Sequence, residues 1–125
     1  MTRNKKIGDL GENLVKDYLL SLGYEIIAQK WHCPWGEIDL IATQPGWLVF
    51  VEVKTRSVLN WDEGGLLAIS PAKQKKLRLT AQAFLEDYND RGSASRFDVA
   101  LVEHKQGNYQ IVTYLAGAFD ASFDS

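Results

Sequence analysis

An α/β fold follows from three features of the sequence. Apolar residues recur at helical spacing near residues 5–22 and again from Ser70 to about Tyr88. Between these segments, runs of alternating apolar residues flank Pro45-Gly46, and a second pair of strand-like runs flanks Lys105-Gln106-Gly107-Asn108. At 125 residues the chain is expected to form a single domain, with a core over about 6–115 and a weakly ordered tail over about 117–125.

The first helix rests on Ile7, Leu10, Leu14, Val15, Tyr18, Leu19 and Leu22, and Gly23 supplies its stop. Gly11 falls in the apolar face, where a missing side chain lets another element come close. Glu12 falls roughly 110° from the centre of the stripe, at the border of core and solvent. Read alone, it is an ordinary solvated glutamate near a helix start.

Tyr24 to Lys30 reads as the first strand, and Trp31 to Gly36 as a loop. His32 beside Cys33 has no partners at zinc spacing, so no metal site is expected there. Trp31 and Trp35 are expected to pack on the core in preference to stacking on bases.

The central stretch is GEIDLIATQPGWLVFVEVKTR, Gly36 to Arg56. Val49, Val51 and Val53 share one face of its second strand, and Phe50, Glu52 and Lys54 share the other. Asp39 joins Glu52 only if paired residue numbers sum to an odd value. That requires an even loop, of two or four residues, within Thr43 to Gly46.

Residues 57–69 include Gly64-Gly65 and read as a flexible connection. Ser70-Pro71 then starts the second helix, with a capping hydroxyl followed by proline in the first turn. Leu77, Ala81, Phe84, Leu85 and Tyr88 give it a buried face, and Asn89-Asp90-Arg91-Gly92 ends it. Lys73, Lys75, Lys76 and Arg78 crowd its first turns, where positive charge opposes the helix dipole. A solvated face and a phosphate-contacting surface explain them equally well. Arg96 to Glu103 and Tyr109 to Leu115 make the last two strands. Asp98, set between Phe97 and Val99, is expected to be structural and to pair with Arg96, a lysine or a third helix.

Composition excludes several classes. No apolar run approaches the ~18 residues that span a bilayer, and the first residues lack the apolar core of a signal peptide, so a cytoplasmic protein is expected. The single cysteine, Cys33, allows no internal disulfide. A net charge of -2 argues against a protein that coats nucleic acid non-specifically, though a local basic face is compatible with it.

Asp39, Glu52 and Lys54 are costly on apolar strands unless they are paired. One account is an ion cluster in which Lys54 neutralises both carboxylates, yet such buried pairs seldom outdo apolar residues of the same size. The other account is a metal site. Two carboxylates offer hard oxygen ligands to an ion of the magnesium type, and the Val53 carbonyl is a further candidate ligand. Lys54 would then position water or stabilise phosphoryl oxygens, since neighbouring carboxylates oppose the depressed pKa that a general base needs. Arg56 continues the face of Glu52 and Lys54 if the strand runs that far, and a phosphate-backbone contact and an ordinary surface arginine explain it equally well.

Asp39 followed by Glu52-Val53-Lys54 on the next strand, with Glu12 on a preceding helix, resembles the PD-(D/E)XK nuclease superfamily, the restriction-endonuclease-like fold that includes archaeal Holliday-junction resolvases. More closely, Gly11-Glu12, GEIDLIA, FVEVKTR, the lysine-rich helix and Arg96-Phe97-Asp98-Val99 resemble the YraN-like uncharacterised bacterial family, uncharacterised protein family 0102. The similarity runs from about Lys6 to Tyr114. One departure from the superfamily pattern is Ile38 where its name has proline. The resemblance implies a restriction-endonuclease-like αβββαβ core, a mixed β-sheet flanked by helices. It implies Asp39 and Glu52 as ligands to Mg2+ or Mn2+, Lys54 as the catalytic lysine, and Glu12 as an additional catalytic acid and candidate ligand.

The expectation is therefore a magnesium-dependent endonuclease acting on DNA, branched or structured DNA among its substrates. The rival is a non-catalytic nucleic-acid-binding or adaptor protein that keeps the fold. A homodimer would fit a two-fold substrate, and a protein partner would compensate for the modest basic charge.

Overall fold

The computed structural model describes residues 3–57, 69–88 and 93–119. Its elements run α1 (Arg3–Ser21), β1 (Glu25–Cys33), β2 (Gly36–Gln44), β3 (Trp47–Ser57), α2 (Pro71–Asp87), β4 (Ala94–Lys105) and β5 (Asn108–Phe119). The strands form one mixed sheet in the order β1-β2-β3-β4-β5, with β3 and β4 parallel and the other neighbours antiparallel. The helices cover opposite faces. Val15 and Leu19 of α1 pack with Leu40, Val49, Val51, Ala100 and Val102. Leu77 and Ala81 of α2 pack with Ile38, Ile41, Leu48, Phe50, Phe97, Val99 and Leu101. This is the α/β/α layering expected of an αβββαβ core.

Local chemistry sets the boundaries. Gly23 takes a φ of 92°, and the Tyr24 N–H donates to the Leu19 carbonyl at 3.1 Å, so α1 ends in a Schellman turn. Ser70 caps α2 by accepting from the Lys73 N–H at 3.1 Å, with Pro71 in the first turn. The hairpin between β2 and β3 pairs Gln44 with Trp47 across the two residues Pro45-Gly46, and Gly46 has a φ of 83°. Its partners sum to an odd number, as in Leu40 with Val51, so the loop is even as the charge pattern requires.

Several expectations are corrected. Strand β1 continues to Cys33, so Trp31 to Cys33 lie in the sheet and only Pro34-Trp35 turn the chain. Strand β5 reaches Phe119, past the expected fraying point at Gly117, because its ring stacks on Phe97 with centroids 4.8 Å apart. The buried stripe of α1 is also rotated by about one residue position. Gly11, Glu12, Val15 and Leu19 are buried, whereas Leu10 and Leu22 are 41% and 57% exposed. Gly11 explains the rotation, since a Cβ there would lie 2.0 Å from Oγ1 of Thr55 on β3. The helix therefore seats its bare backbone on the strand.

The expected flexible connection between β3 and α2 lies outside the described residues over 58–68, as do the helix-ending residues 89–92 and the tail from 120 onward. Trp31 packs edge-on against Phe84 at 5.3 Å, whereas Trp35 is exposed instead of packed.

Asp98 is fully buried and saturated. It accepts from Arg96 Nε at 2.8 Å and Nη2 at 2.9 Å, from the Tyr114 hydroxyl at 2.5 Å and from the Gly117 N–H at 2.9 Å. Arg96 also donates to the Tyr24 hydroxyl at 2.8 Å. With every oxygen occupied, this knot ties β4 to β5 and to the end of α1, which is the structural role expected of Asp98.

Candidate functional site

The site forms where β2 and β3 part. Regular pairing ends at Leu40 with Val51, and beyond it the Val53 N–H donates to Asp39 Oδ2 at 2.7 Å instead of to a strand carbonyl. The alternation of β2 breaks at this point, since Ile38 and Ile41, three residues apart, both face α2. The neighbouring strand breaks as well. Lys30 has a φ of 55°, a left-handed conformation that lysine rarely adopts, and it lies with Asp39 between the register pairs Gln29/Leu40 and Trp31/Ile38. These two irregularities turn the Asp39 carboxylate and the Lys30 ammonium out of the sheet's ordinary pattern.

Asp39 stands beside Glu52. Burial first, then the charge of Glu52 and a carboxyl–carboxyl contact with it, hold the Asp39 carboxyl well above the usual carboxylate range; the Val53 N–H pulls the other way. Glu52 lies 3.2 Å from the ammonium of Lys73, which reaches in from the first turn of α2. Its Oε1 is nonetheless buried without a hydrogen-bond donor. Two carboxyls side by side, one with an enclosed bare oxygen, lack either a proton or a cation.

Glu12 is 2% exposed and shares a cavity of about 210 Å³ with Asp39, lined also by Gly8, Asp9, Lys30 and Val53. Lys30 Nζ bridges Glu12 Oε2 at 2.7 Å and Asp9 Oδ1 at 2.8 Å. Burial raises the Glu12 pKa, Lys30 counters it, and the Asp39 charge adds to the rise. The hydrogen bonds to Asp9 and Glu12 hold the Lys30 ammonium firmly protonated. Lys54 and Arg56 line an adjoining cavity of about 440 Å³ together with Lys73 and His104. Gly8 and Val53 belong to both cavities, so the two are neighbours.

Glu12, Asp39, Glu52 and Lys54 are thus gathered around one end of β3, with Arg56 and Lys73 beside them. Lys75 and Lys76 are exposed on α2, and neither they nor Arg78 line either cavity. His32 is exposed, its ring nitrogen 3.3 Å from the Lys30 carbonyl. Sequence reasoning missed Lys30, Asp9 and His104. Lys30 left no signal except its place at the end of a strand-like run, because a left-handed lysine is not encoded by periodicity.

Among the described residues no three His, Cys, Asp or Glu side chains converge into a ready-made metal cage. An ion of the magnesium type needs no such cage, since it takes one or two carboxylates and keeps waters in its remaining positions. The Asp39–Glu52 pair with its unsatisfied oxygen fits that demand. The Val53 carbonyl fits as well, because a strand residue directs its N–H and C=O to the same edge, here the edge facing Asp39. Glu12, already engaged by Lys30, sits one step behind them.

Among the described residues no helix is long and apolar enough to cross a membrane. The model of the uncharacterised protein family UPF0102 matches residues 11–102, which contain Glu12, Asp39, Glu52 and Lys54. A UPF0102 protein of Thermosynechococcus vestitus is 54% identical over 117 residues, covering 92% of this chain and 94% of its own length. A UPF0102 protein of Synechococcus sp. (strain JA-3-3Ab) is 48% identical over 124 residues, covering 95% of each chain. One from Synechococcus elongatus is 40% identical, covering 89% of each. With the match spanning Glu12, Asp39, Glu52 and Lys54 and most of the fold around them, the chain belongs to the uncharacterised protein family UPF0102.

Proposed function

We propose that this protein is a magnesium-dependent nuclease that hydrolyses phosphodiester bonds in DNA, branched or structured DNA included. The observation that carries this reading is the Asp39–Glu52 pair, whose buried, donorless Glu52 Oε1 calls for a cation, set beside a cavity lined by Lys54. Asp39, Glu52 and the Val53 carbonyl would hold the ion. The chemistry such an ion supplies when bound is Lewis acidity toward a phosphoryl oxygen and acidification of water. Lys54 then donates hydrogen bonds to the attacking water or to the phosphoryl oxygens, where charge grows in the transition state. Glu12, fixed by Lys30, keeps negative charge behind Asp39 and orders the inner wall.

The test is incubation with linear, nicked, flapped and four-way DNA in magnesium or manganese, alongside Asp39→Asn and Lys54→Ala. Cleavage by the wild type and a loss of at least about 100-fold in each variant are expected, in line with removal of an electrostatic catalytic group. Cleavage that survives both substitutions belongs to a contaminant and removes the support for a nuclease.

One observation favours a second reading. Lys73 and Lys30 already pair Glu52 and Glu12, as in a self-neutralised ion cluster. A non-catalytic nucleic-acid-binding or adaptor protein with this fold would bind DNA equally well with and without Asp39 and would cut none of the four substrates.

A further inference from the structure

The cavity of about 440 Å³ lies at the carboxyl ends of the parallel strands β3 and β4, a place where ligands of open α/β sheets collect. Among the described residues its charged lining is of one sign. Lys54 and Arg56 from β3 and Lys73 from α2 are joined by His104 of β4 and the hydroxyl residues Thr55 and Ser57, and among the described residues no carboxylate side chain lines it. A carboxylate outside the cavity holds Lys73, which is 3.2 Å from Glu52, and Arg56 is in register with Glu103 on β4. His104 is steadied by its ring stacked on Tyr109, centroids 5.5 Å apart, and is in register with Ser57. Arg56 and Lys73 border the cavity from the α2 side of the sheet, and His104 with Thr55 and Ser57 from the α1 side. Cations and hydroxyls thus surround the end of β3 and make a site for a tetrahedral oxyanion. The shared wall of Gly8 and Val53 places that anion next to the Asp39–Glu52 pair.

We propose that this cavity is a phosphate subsite for a nucleic-acid strand, with Arg56, Lys73 and His104 as its donors, holding a phosphate adjacent to the one placed at the carboxylate pair. The nuclease reading is used only for the identity of the ligand; the cavity's preference for a phosphate stands on its lining. Lys73 belongs to both places, paired with Glu52 on one side and facing the cavity on the other.

Binding, not cleavage, tests it. A 3′-fluorescent oligonucleotide, with either a 5′-phosphate or a 5′-hydroxyl, is titrated in EDTA and followed by anisotropy. The proteins are wild type, Arg56→Gln, Lys73→Gln and His104→Ala, with Lys76→Gln as an exposed control outside the cavity. Folding is verified by circular dichroism, and thermal shift with inorganic phosphate runs in parallel. Each cavity variant is expected to bind about tenfold more weakly, the equivalent of one charge-assisted hydrogen bond, and to lose about one unit of salt slope for Arg56 or Lys73. Lys76→Gln should bind as wild type does. A preference for the 5′-phosphate identifies a terminal phosphate as the ligand, and equal affinity an internal one; either supports the subsite. Wild-type affinity in all three cavity variants overturns it while leaving the nuclease reading intact. Stabilisation of the wild type by inorganic phosphate without oligonucleotide binding overturns the nucleic-acid assignment and deprives the nuclease reading of a substrate.

Discussion

Asp39 shows how one residue turns a break in the ladder into chemistry. Its Oδ2 takes the Val53 N–H that a regular strand would have used, and its carboxyl is left against Glu52 in a buried setting. The raised pKa has a definite linkage sign. The folded state holds a proton that the unfolded chain, near its ordinary value of 3.8, releases, so this group's contribution to stability falls as pH rises from about 4 through the raised pKa. Asp39→Asn keeps an oxygen for the Val53 N–H and removes the charge. It should therefore melt higher than the wild type at pH 7 in EDTA, by about 4 °C for each ~1 kcal/mol recovered, with the gap closing toward pH 4. A lower melting temperature for the variant at pH 7 would mean that the ionised carboxylate is paired and stabilising. Asp98 is the instructive contrast: fully buried where Asp39 is only partly so, it is saturated by four donors and has nothing left to offer a ligand.

The helix α1 owes its seat on β3 to a single missing methyl group. With a Cβ at position 11 only 2.0 Å from Thr55 Oγ1, the helix would have to lift, and Glu12 on the next position would lift with it. In an exposed helix Gly→Ala gains about 1 kcal/mol from propensity. Here Gly11→Ala should instead cost about 1–3 kcal/mol by overpacking, measured by urea denaturation. Adding Thr55→Ala should recover part of the loss, since the hydroxyl is removed while the Thr55 Cβ contact at 3.1 Å stays tight. Stability equal to the wild type in the single variant would show that the helix can shift freely and that Glu12 is not fixed by this contact.

At the scale of the whole molecule, two helices and a five-stranded sheet converge their charged residues at one end of β3. That layout sets acidic and basic cavities side by side on a protein whose net charge is only -2. A divalent ion that binds the folded chain should stabilise it by about 2.7 kcal/mol at 100 times its Kd. Magnesium at millimolar concentration is therefore expected to raise the melting temperature of the wild type and to release heat and protons in calorimetry, with neither effect in Asp39→Asn. No response to magnesium or manganese, even with DNA present, would favour the self-neutralised ion cluster.

Local pattern was enough to place the helices and strands, the even hairpin loop and the charged cluster at Asp39, Glu52 and Lys54. These depend on neighbours along the chain: alternation in strands, a capping Ser-Pro, a Pro-Gly turn, and charges where burial makes them costly. The close approach at Gly11 was legible for the same reason. Periodicity was misleading where packing overrode it. It put Glu12 at a border, because hydrophobic spacing cannot foresee that a glycine, and not the leucines, would face the sheet. It passed over Lys30, whose left-handed backbone lies across from Asp39 where β2 leaves β3, and it left Lys73 undecided between solvent and phosphate, when it stands 3.2 Å from Glu52. Sequence alone determined which chemical groups were available and which face of β3 bore them, whereas the break in β2 that sets Ile38 and Leu40 on opposite faces is not written in its alternation. Only the tertiary structure decided which cations stand against which carboxylates, because those partners are brought together across elements distant in the chain, by packing that no local period records.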